Sequence, residues 1–153
     1  MFQTPKRTLG FDIGTKRTGI ALADESMTLA SPVTHIEVTS KNDWIKKVLS
    51  FLEQYEIEQI VVGLPLNHEG EEGQDADRIR QYIALLREKT SFPVIEWDER
   101  FTTVQAERYL ISANVSRKNR KQVVDKIAAC IMLQSYLDHL QFKRESPEPW
   151  HDK

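Results

Sequence analysis

Apolar and polar residues alternate in steps of two from Leu9 to Ile13, with Leu9, Phe11 and Ile13 on one side and Gly10 and Asp12 on the other. That period predicts a β-strand that carries a carboxylate. Gly19-Ile20-Ala21-Leu22-Ala23 predicts a second strand, reached through a glycine turn that holds Lys16 and Arg17. After the polar turn Asp24-Glu25-Ser26-Met27, the segment Leu29 to Val38 predicts a third strand, interrupted early by Pro32. Two hairpins in succession make an antiparallel meander.

The period then changes. Ile45, Val48, Leu49 and Leu52 fall at i, i+3, i+4 and i+7, one face of a helix opened by Asn42 or Asp43 as cap. Ile60-Val61-Val62-Gly63 is a short continuous apolar run, the pattern of a strand buried on both faces. Ile79, Ile83 and Leu86 mark the inner face of a second helix, and Pro93 to Trp97 a fifth strand. Thr102 or Thr103 can cap a third helix through Ala106 and Leu110. The last helix runs from about Gln122 to Leu140, with Val124, Ile127, Ala128, Ile131 and Leu137 on its apolar side.

The order βββαβαβαα describes an α/β fold with a mixed sheet. Right-handed crossovers place strand four beside strand one and strand five outside it, giving the order 3-2-1-4-5 with helices packed alongside. At 153 residues the chain reads as one domain, residues 1–141, followed by a flexible tail, 142–153, that holds Pro147 and Pro149.

Sites in such sheets gather at the carboxyl ends of parallel strands. Three segments end there in unusual residues: Asp12, Gly63-Leu64-Pro65-Leu66-Asn67, and Asp98-Glu99-Arg100. A buried carboxylate is costly unless a metal ion or a cation pairs with it, and Gly14 and Gly19 allow a ligand or backbone to come close. The plainer alternative is a hairpin in which Asp12 caps its own turn. Asp98 and Glu99 can equally complement the dipole of a following helix, and so can Asp125 in Val124-Asp125-Lys126-Ile127-Ala128-Ala129. Ala128 and Ala129 are small enough to let that helix approach a sheet. Taken together, the acids suit two divalent cations, Mg2+ or Mn2+, about 4 Å apart at a phosphodiester. Lys16, Arg17 and Arg100 can neutralise phosphates, and the run Arg117, Lys118, Arg120 and Lys121 can hold a nucleic-acid backbone or serve only as a solvated loop between helices.

Composition changes the picture little. The net charge of −2 does not advertise a nucleic-acid binder, but it hides two opposed clusters. Glu69, Glu71, Glu72, Asp75 and Asp77 form an acidic loop, and without it the remainder is basic. No run reaches the roughly 18 apolar residues of a membrane span, and the N-terminus lacks the apolar core of a signal peptide, which points to the cytosol. The single cysteine, Cys130, excludes an internal disulfide and reads as a buried small hydrophobe.

Four motifs in this order resemble the YqgF family: Asp12-x-Gly14-x-x-Arg17-x-Gly19-Ile20-Ala21, Gly63-Leu64-Pro65-Leu66-Asn67, Asp98-Glu99-Arg100-x-Thr102-Thr103, and Asp125-x-x-Ala128-Ala129 with Leu133-Gln134-Ser135-Tyr136-Leu137. The resemblance runs from about Leu9 to Leu140. It implies an RNase H-like fold, a bacterial cytoplasmic setting, and trimming of the 5′ end of precursor 16S rRNA. Members of the family are also described as Holliday-junction resolvases. The resemblance further maps a catalytic, metal-binding acid set onto Asp12, one of Asp98 and Glu99, and Asp125.

With strand four between them, strands one and five lie about 10 Å apart, so the longer Glu99 is the preferred partner and Asp98 the reserve. Asn67 can bond a phosphate or a ligating carboxylate. Four-way DNA cut by a symmetric homodimer, a monomer acting on RNA, and a non-catalytic RNA-binding assembly factor all stay open at this point. The Asp-x-Gly-Thr start also resembles the phosphate loop of sugar kinases and actin-like ATPases, which need two such domains where this length allows one.

Overall fold

The computed structural model describes residues 6–65, 73–98 and 117–145, and the side chains of all of these except 117–126 and 144–145. Among the described residues five strands and three helices follow in order: β1 (Arg7–Ile13), β2 (Arg17–Ala23), β3 (Ala30–Glu37), α1 (Lys41–Leu52), β4 (Ile57–Leu64), α2 (Gln74–Lys89), β5 (Val94–Asp98) and α3 (Arg117–Glu145). The sheet order is β3-β2-β1-β4-β5. β1, β2 and β3 are antiparallel, whereas β4 and β5 run parallel to β1. This is the predicted topology. The expected third helix, Thr102 to Leu110, lies outside the described residues.

Each face of the sheet packs its own core. Leu9, Phe11, Ile13, Ile20, Ile60, Val62 and Leu64 point toward α1 and α2 and meet Trp44, Val48, Ile79, Ile83 and Leu86. Ala21, Ala23 and Val61 point the other way, onto Ala129, Met132, Leu133, Tyr136 and Leu137 of α3. β1 and β4 therefore bury side chains on both faces, as the continuous apolar run in β4 predicts.

Local chemistry accounts for the element ends, with some corrections. Ser40, not Asn42 or Asp43, caps α1, its hydroxyl accepting from the Asp43 N–H at 3.1 Å. Asp43 instead accepts from the Thr39 hydroxyl and pairs with Lys47, and these contacts hold its carboxyl below the usual range. Asp24 closes the β2–β3 turn by accepting from the amides of Leu29 and Thr28 and from Ser26, which lowers its pKa too. Met27 in that turn is left-handed, with φ 59°. Pro32 does not interrupt β3, because an edge strand tolerates a missing N–H and the register shifts opposite it.

Asp75 and Asp77 lie in the first turn of α2 rather than in a loop, where the helix dipole favours them. The basic run Arg117, Lys118, Arg120 and Lys121 is likewise helical, forming the opening turns of α3. Nothing from Arg117 onward breaks the helix: Lys, Arg and Gln are good helix formers, and neither glycine nor proline intervenes. α3 also continues past Leu140 to Glu145.

Its buried stripe is rotated from the expected one. Ala129, Met132, Leu133 and Tyr136 face the sheet along with Ala128 and Leu137, while Ile127 and Ile131 are only half-buried. The side chain of Val124 lies outside the description. Leu133 sets the rotation by sitting directly on Gly10. A Cβ placed at Gly10 would stand 2.8 Å from the Leu133 Cβ. Glycine is thus required at this point of β1 for the helix to lie where it does.

Candidate active site

The candidate site lies where β1, β4 and β5 end. Cross-strand register fixes which side chains share a face there. Asp12 pairs with Gly19 of β2, and Phe11 pairs with Val62 of β4, which brings Gly63 alongside Asp12. Gly63 is in turn paired with Trp97 of β5. Asp12 follows Gly10 by two residues, so it stands on the α3 face of the sheet and is half-buried. Its neighbours on that face, Gly19 and Gly63, have no side chains. Gly63 separates Asp12 from Trp97 of β5, which faces the same side of the sheet.

Trp97 is held in place by α3. Its ring meets Tyr136 edge-on at 5.3 Å and lies beside His139 at 5.1 Å, while its Nε1 donates to Ser135 Oγ at 3.4 Å. Sequence patterning offered no sign of this role beyond the odd position of Trp97 in β5.

Asp98 is placed differently. It is paired with Leu64, whose side chain belongs to the α1/α2 core, and follows Glu96, which binds Arg80 and Arg87 of α2. Alternation thus puts Asp98 on the opposite face from Asp12, where it is exposed. The structure does not bring these two acids together. Glu99, Arg100 and Asn67 lie outside the described residues.

The β1–β2 turn is tight. The Gly14 N–H donates to the Arg17 carbonyl at 2.8 Å, and a Cβ on Gly14 would meet that oxygen at 2.7 Å. Lys16 is exposed at the tip, and its carbonyl accepts from the Val38 N–H at 2.7 Å. Arg17 follows the same alternation as Gly19 and Ala21, which places its position on the face of Asp12. From the other side of the sheet, Arg78 of α2 donates to the carbonyls of Ile13 at 3.2 Å and Gly14 at 3.3 Å. The inward pattern of α2 gave no hint of Arg78.

α3 is oriented by polar contacts with the β2–β3 turn. The Cys130 thiol donates to the Ala30 carbonyl at 3.3 Å, so Cys130 is half-buried and hydrogen-bonded rather than a fully buried hydrophobe, and burial pushes its pKa up. Gln134 accepts from the Ala30 N–H and donates to the Thr28 carbonyl, and Gln141 donates to the Thr28 hydroxyl. That turn lies at the end of the sheet where β1 begins. Residues 117–126 form the earlier turns of α3. Asp125 is in those turns, one turn before the buried Ala129. The side chains of Asp125, Arg117, Lys118, Arg120 and Lys121 are outside the description.

A half-buried carboxylate offers hard oxygen donors, so the position suits Mg2+ or Mn2+. Among the described residues no group of three His, Cys, Asp or Glu side chains gathers to hold a metal. No helix among them is long and apolar enough to cross a membrane.

The same fold occurs in two solved resolvases. The Fowlpox virus resolvase solved with Holliday junction DNA superposes with a TM-score of 0.55 at 16% identity, covering 88% of this chain and 98% of that one. T. thermophilus RuvC, solved with a Holliday junction substrate, gives 0.53 at 12% identity, covering 88% and 96%. The model of the RuvX family, described as Holliday junction resolvase, matches residues 6–139. A protein of Geobacillus sp. (strain WCH70), named "Putative pre-16S rRNA nuclease", is 44% identical over 137 residues, which are 88% of this chain and 99% of that protein. One of the same name from Geobacillus kaustophilus is 46% identical over 134 residues, covering 86% and 97%. The chain belongs to the RuvX family.

Proposed function

We propose that this chain is a metal-dependent nuclease that hydrolyses phosphodiester bonds and trims the 5′ end of precursor 16S rRNA in the cytoplasm. The observation that carries the reading is Asp12 on the α3 face at the end of β1, between two residues without side chains. Relatives that match almost end to end and bear the pre-16S rRNA nuclease name support the substrate.

Asp12, Glu99 and Asp125 would hold the metal, Mg2+ or Mn2+, as two ions. Glu99 is assigned in preference to Asp98 because Asp98 belongs to the other face of the sheet. When bound, such ions lower the pKa of a coordinated water and offset charge on the scissile phosphate. The protein's own part is to orient and exclude. Gly19 and Gly63 put no side chain between Asp12 and an approaching sugar-phosphate backbone. Lys16 and Arg17 at the hairpin, with Arg100 and Asn67, hold flanking phosphates. Arg117, Lys118, Arg120 and Lys121 extend that grip along the opening turns of α3, a helical stripe suited to tracking a nucleic-acid backbone.

The description of the matching family model favours four-way DNA as the second substrate, which a symmetric homodimer would cut in paired incisions and a monomer would not. The test pairs a 5′-extended 16S precursor with a four-way DNA junction, each with Mg2+, Mn2+ or EDTA. Cleavage of the RNA alone, abolished by EDTA, is the expected result. Cutting of the junction alone assigns the resolvase reading. Tight RNA binding without cleavage of either identifies a non-catalytic assembly factor.

A further inference from the structure

Resting on the reading of Asp12 as a metal ligand, we propose that Arg78 is a positioning residue for that site, substituting for a backbone donor that β4 lacks. The Gly14 N–H bonds Arg17 of β2, so by alternation Asp12 and Gly10 also point their backbone groups at β2. Phe11 and Ile13 then point theirs at β4. With Phe11 paired to Val62, a parallel ladder would satisfy the Ile13 carbonyl with the N–H of residue 65. Residue 65 is proline and has no N–H. The last carbonyl of β1, one residue past Asp12, is left without its strand donor.

Arg78 fills that place. One guanidinium nitrogen donates to the Ile13 carbonyl at 3.2 Å and another to the Gly14 carbonyl at 3.3 Å. Two adjacent carbonyls are thereby held by one planar fork, the geometry that distinguishes Arg from Lys. Arg78 Nε is itself buried without a hydrogen bond, its nearest carboxylate oxygen being Asp75 Oδ1 at 3.9 Å. The guanidinium is therefore committed to the strand end and not to a strong ion pair. It reaches the strand from the α2 side while Asp12 faces α3, so its influence on Asp12 runs through the backbone and not through direct contact. A β1 end that can shift would spread the positions of the Asp12 carboxylate, and metal affinity falls when a ligand is loosely held.

The experiment measures Mn2+ binding by electron paramagnetic resonance, and the Mg2+ concentration for half-maximal cleavage, in the full chain. Arg78→Met, Arg78→Lys, Asp12→Asn and Arg80→Met are compared with the unaltered protein. Arg78→Met is expected to weaken Mn2+ binding about tenfold and raise the half-activating Mg2+ concentration in step, with kcat at saturating Mg2+ falling less. Arg78→Lys, which keeps the charge but can serve only one carbonyl well, is expected to lie between. Arg80→Met removes a neighbouring charge of α2 and is expected to bind Mn2+ normally. Adding Pro65→Ala to Arg78→Met restores an N–H at the ladder position and is expected to recover part of the lost affinity, which a general loss of stability would not do.

A folded Arg78→Met or Arg78→Lys protein with Mn2+ affinity within twofold of the unaltered chain overturns the proposal while Asp12→Asn still loses the metal. If Arg78→Met does not fold, the Arg78→Lys arm decides alone by the same criterion. Unchanged Mn2+ binding in Asp12→Asn removes the metal site from Asp12 and takes this inference down with it.

Discussion

The two faces of the sheet are built on different terms. Toward α1 and α2 the strands present Leu9, Phe11, Ile13, Ile20, Ile60 and Val62, large side chains that interlock with Trp44 and Ile79. Even the polar pair there is closed, since Trp44 Nε1 donates to the buried Thr18 hydroxyl at 2.9 Å and its ring meets Tyr82 edge-on at 4.8 Å. Toward α3 the same strands present Gly10, Asp12, Gly19, Ala21 and Gly63. Small residues let α3 lie close at mid-sheet, where Leu133 sits on Gly10. One face supplies stability through volume, whereas the other gives up volume to set a helix and a carboxylate side by side. Under the proposed function, the glycines of β1, β2 and β4 mark the face that does the chemistry.

Substitutions on the two faces should therefore separate activity from stability. The largest effect is expected from Asp12→Asn, which removes the charge of the proposed ligand, worth several kcal/mol to the reaction, and lowers cleavage by about 10^3-fold. Its urea midpoint should stay close to that of the unaltered chain, and a large loss of stability would show that Asp12 is mainly structural. Gly10→Ala drives a methyl group into Leu133 and is expected to cost about 1–3 kcal/mol, with reduced cleavage because α3 is displaced. Combining it with Leu133→Ala should recover part of that loss, and strict additivity of the two would deny the contact.

Trp44→Phe, on the other face, strands the Thr18 hydroxyl and is expected to cost about 2 kcal/mol in urea unfolding while leaving kcat of the folded protein alone. A fall in kcat as large as that from Gly10→Ala would erase the distinction between the faces. Ser40→Ala, remote from both, is expected to cost about 1 kcal/mol through loss of the α1 cap.

The smallest effect concerns Cys130, on the α3 face. Burial pushes its thiol pKa up, so the thiolate fraction near pH 8 is depressed and grows only as pH rises further. Iodoacetamide should modify it more slowly in the folded chain than in urea. Equal rates would place the thiol in solvent.

The strand order and the two-faced burial of β4 are legible because alternation and continuous apolar runs map directly onto the pleat. The meander followed from the turn residues, and the placement of β4 and β5 from the handedness of crossovers. The same alternation applied to β5 separates Asp98 from Asp12, although sequence alone could not anchor it, because Glu96 looks like any exposed acid until Arg80 and Arg87 are seen to claim it. The rotation of α3 was misread for a related reason. Ile127 and Ile131 are the more hydrophobic positions, but the tight fit of Leu133 over Gly10 outweighs them. Ser40 is hard to single out as the cap because Asn42 and Asp43, equally good caps, come two and three residues later. Arg78 was invisible, since its partners are carbonyls and carbonyls have no sequence signature.

The most direct test of the account is the position of a bound ion. Crystals soaked in Mn2+ and measured at the manganese absorption edge should show an anomalous peak beside the Asp12 carboxylate on the α3 face, absent in Asp12→Asn. A peak that survives that substitution, or Mn2+ bound elsewhere with Asp12 bare, would contradict the assignment of this face as the catalytic one.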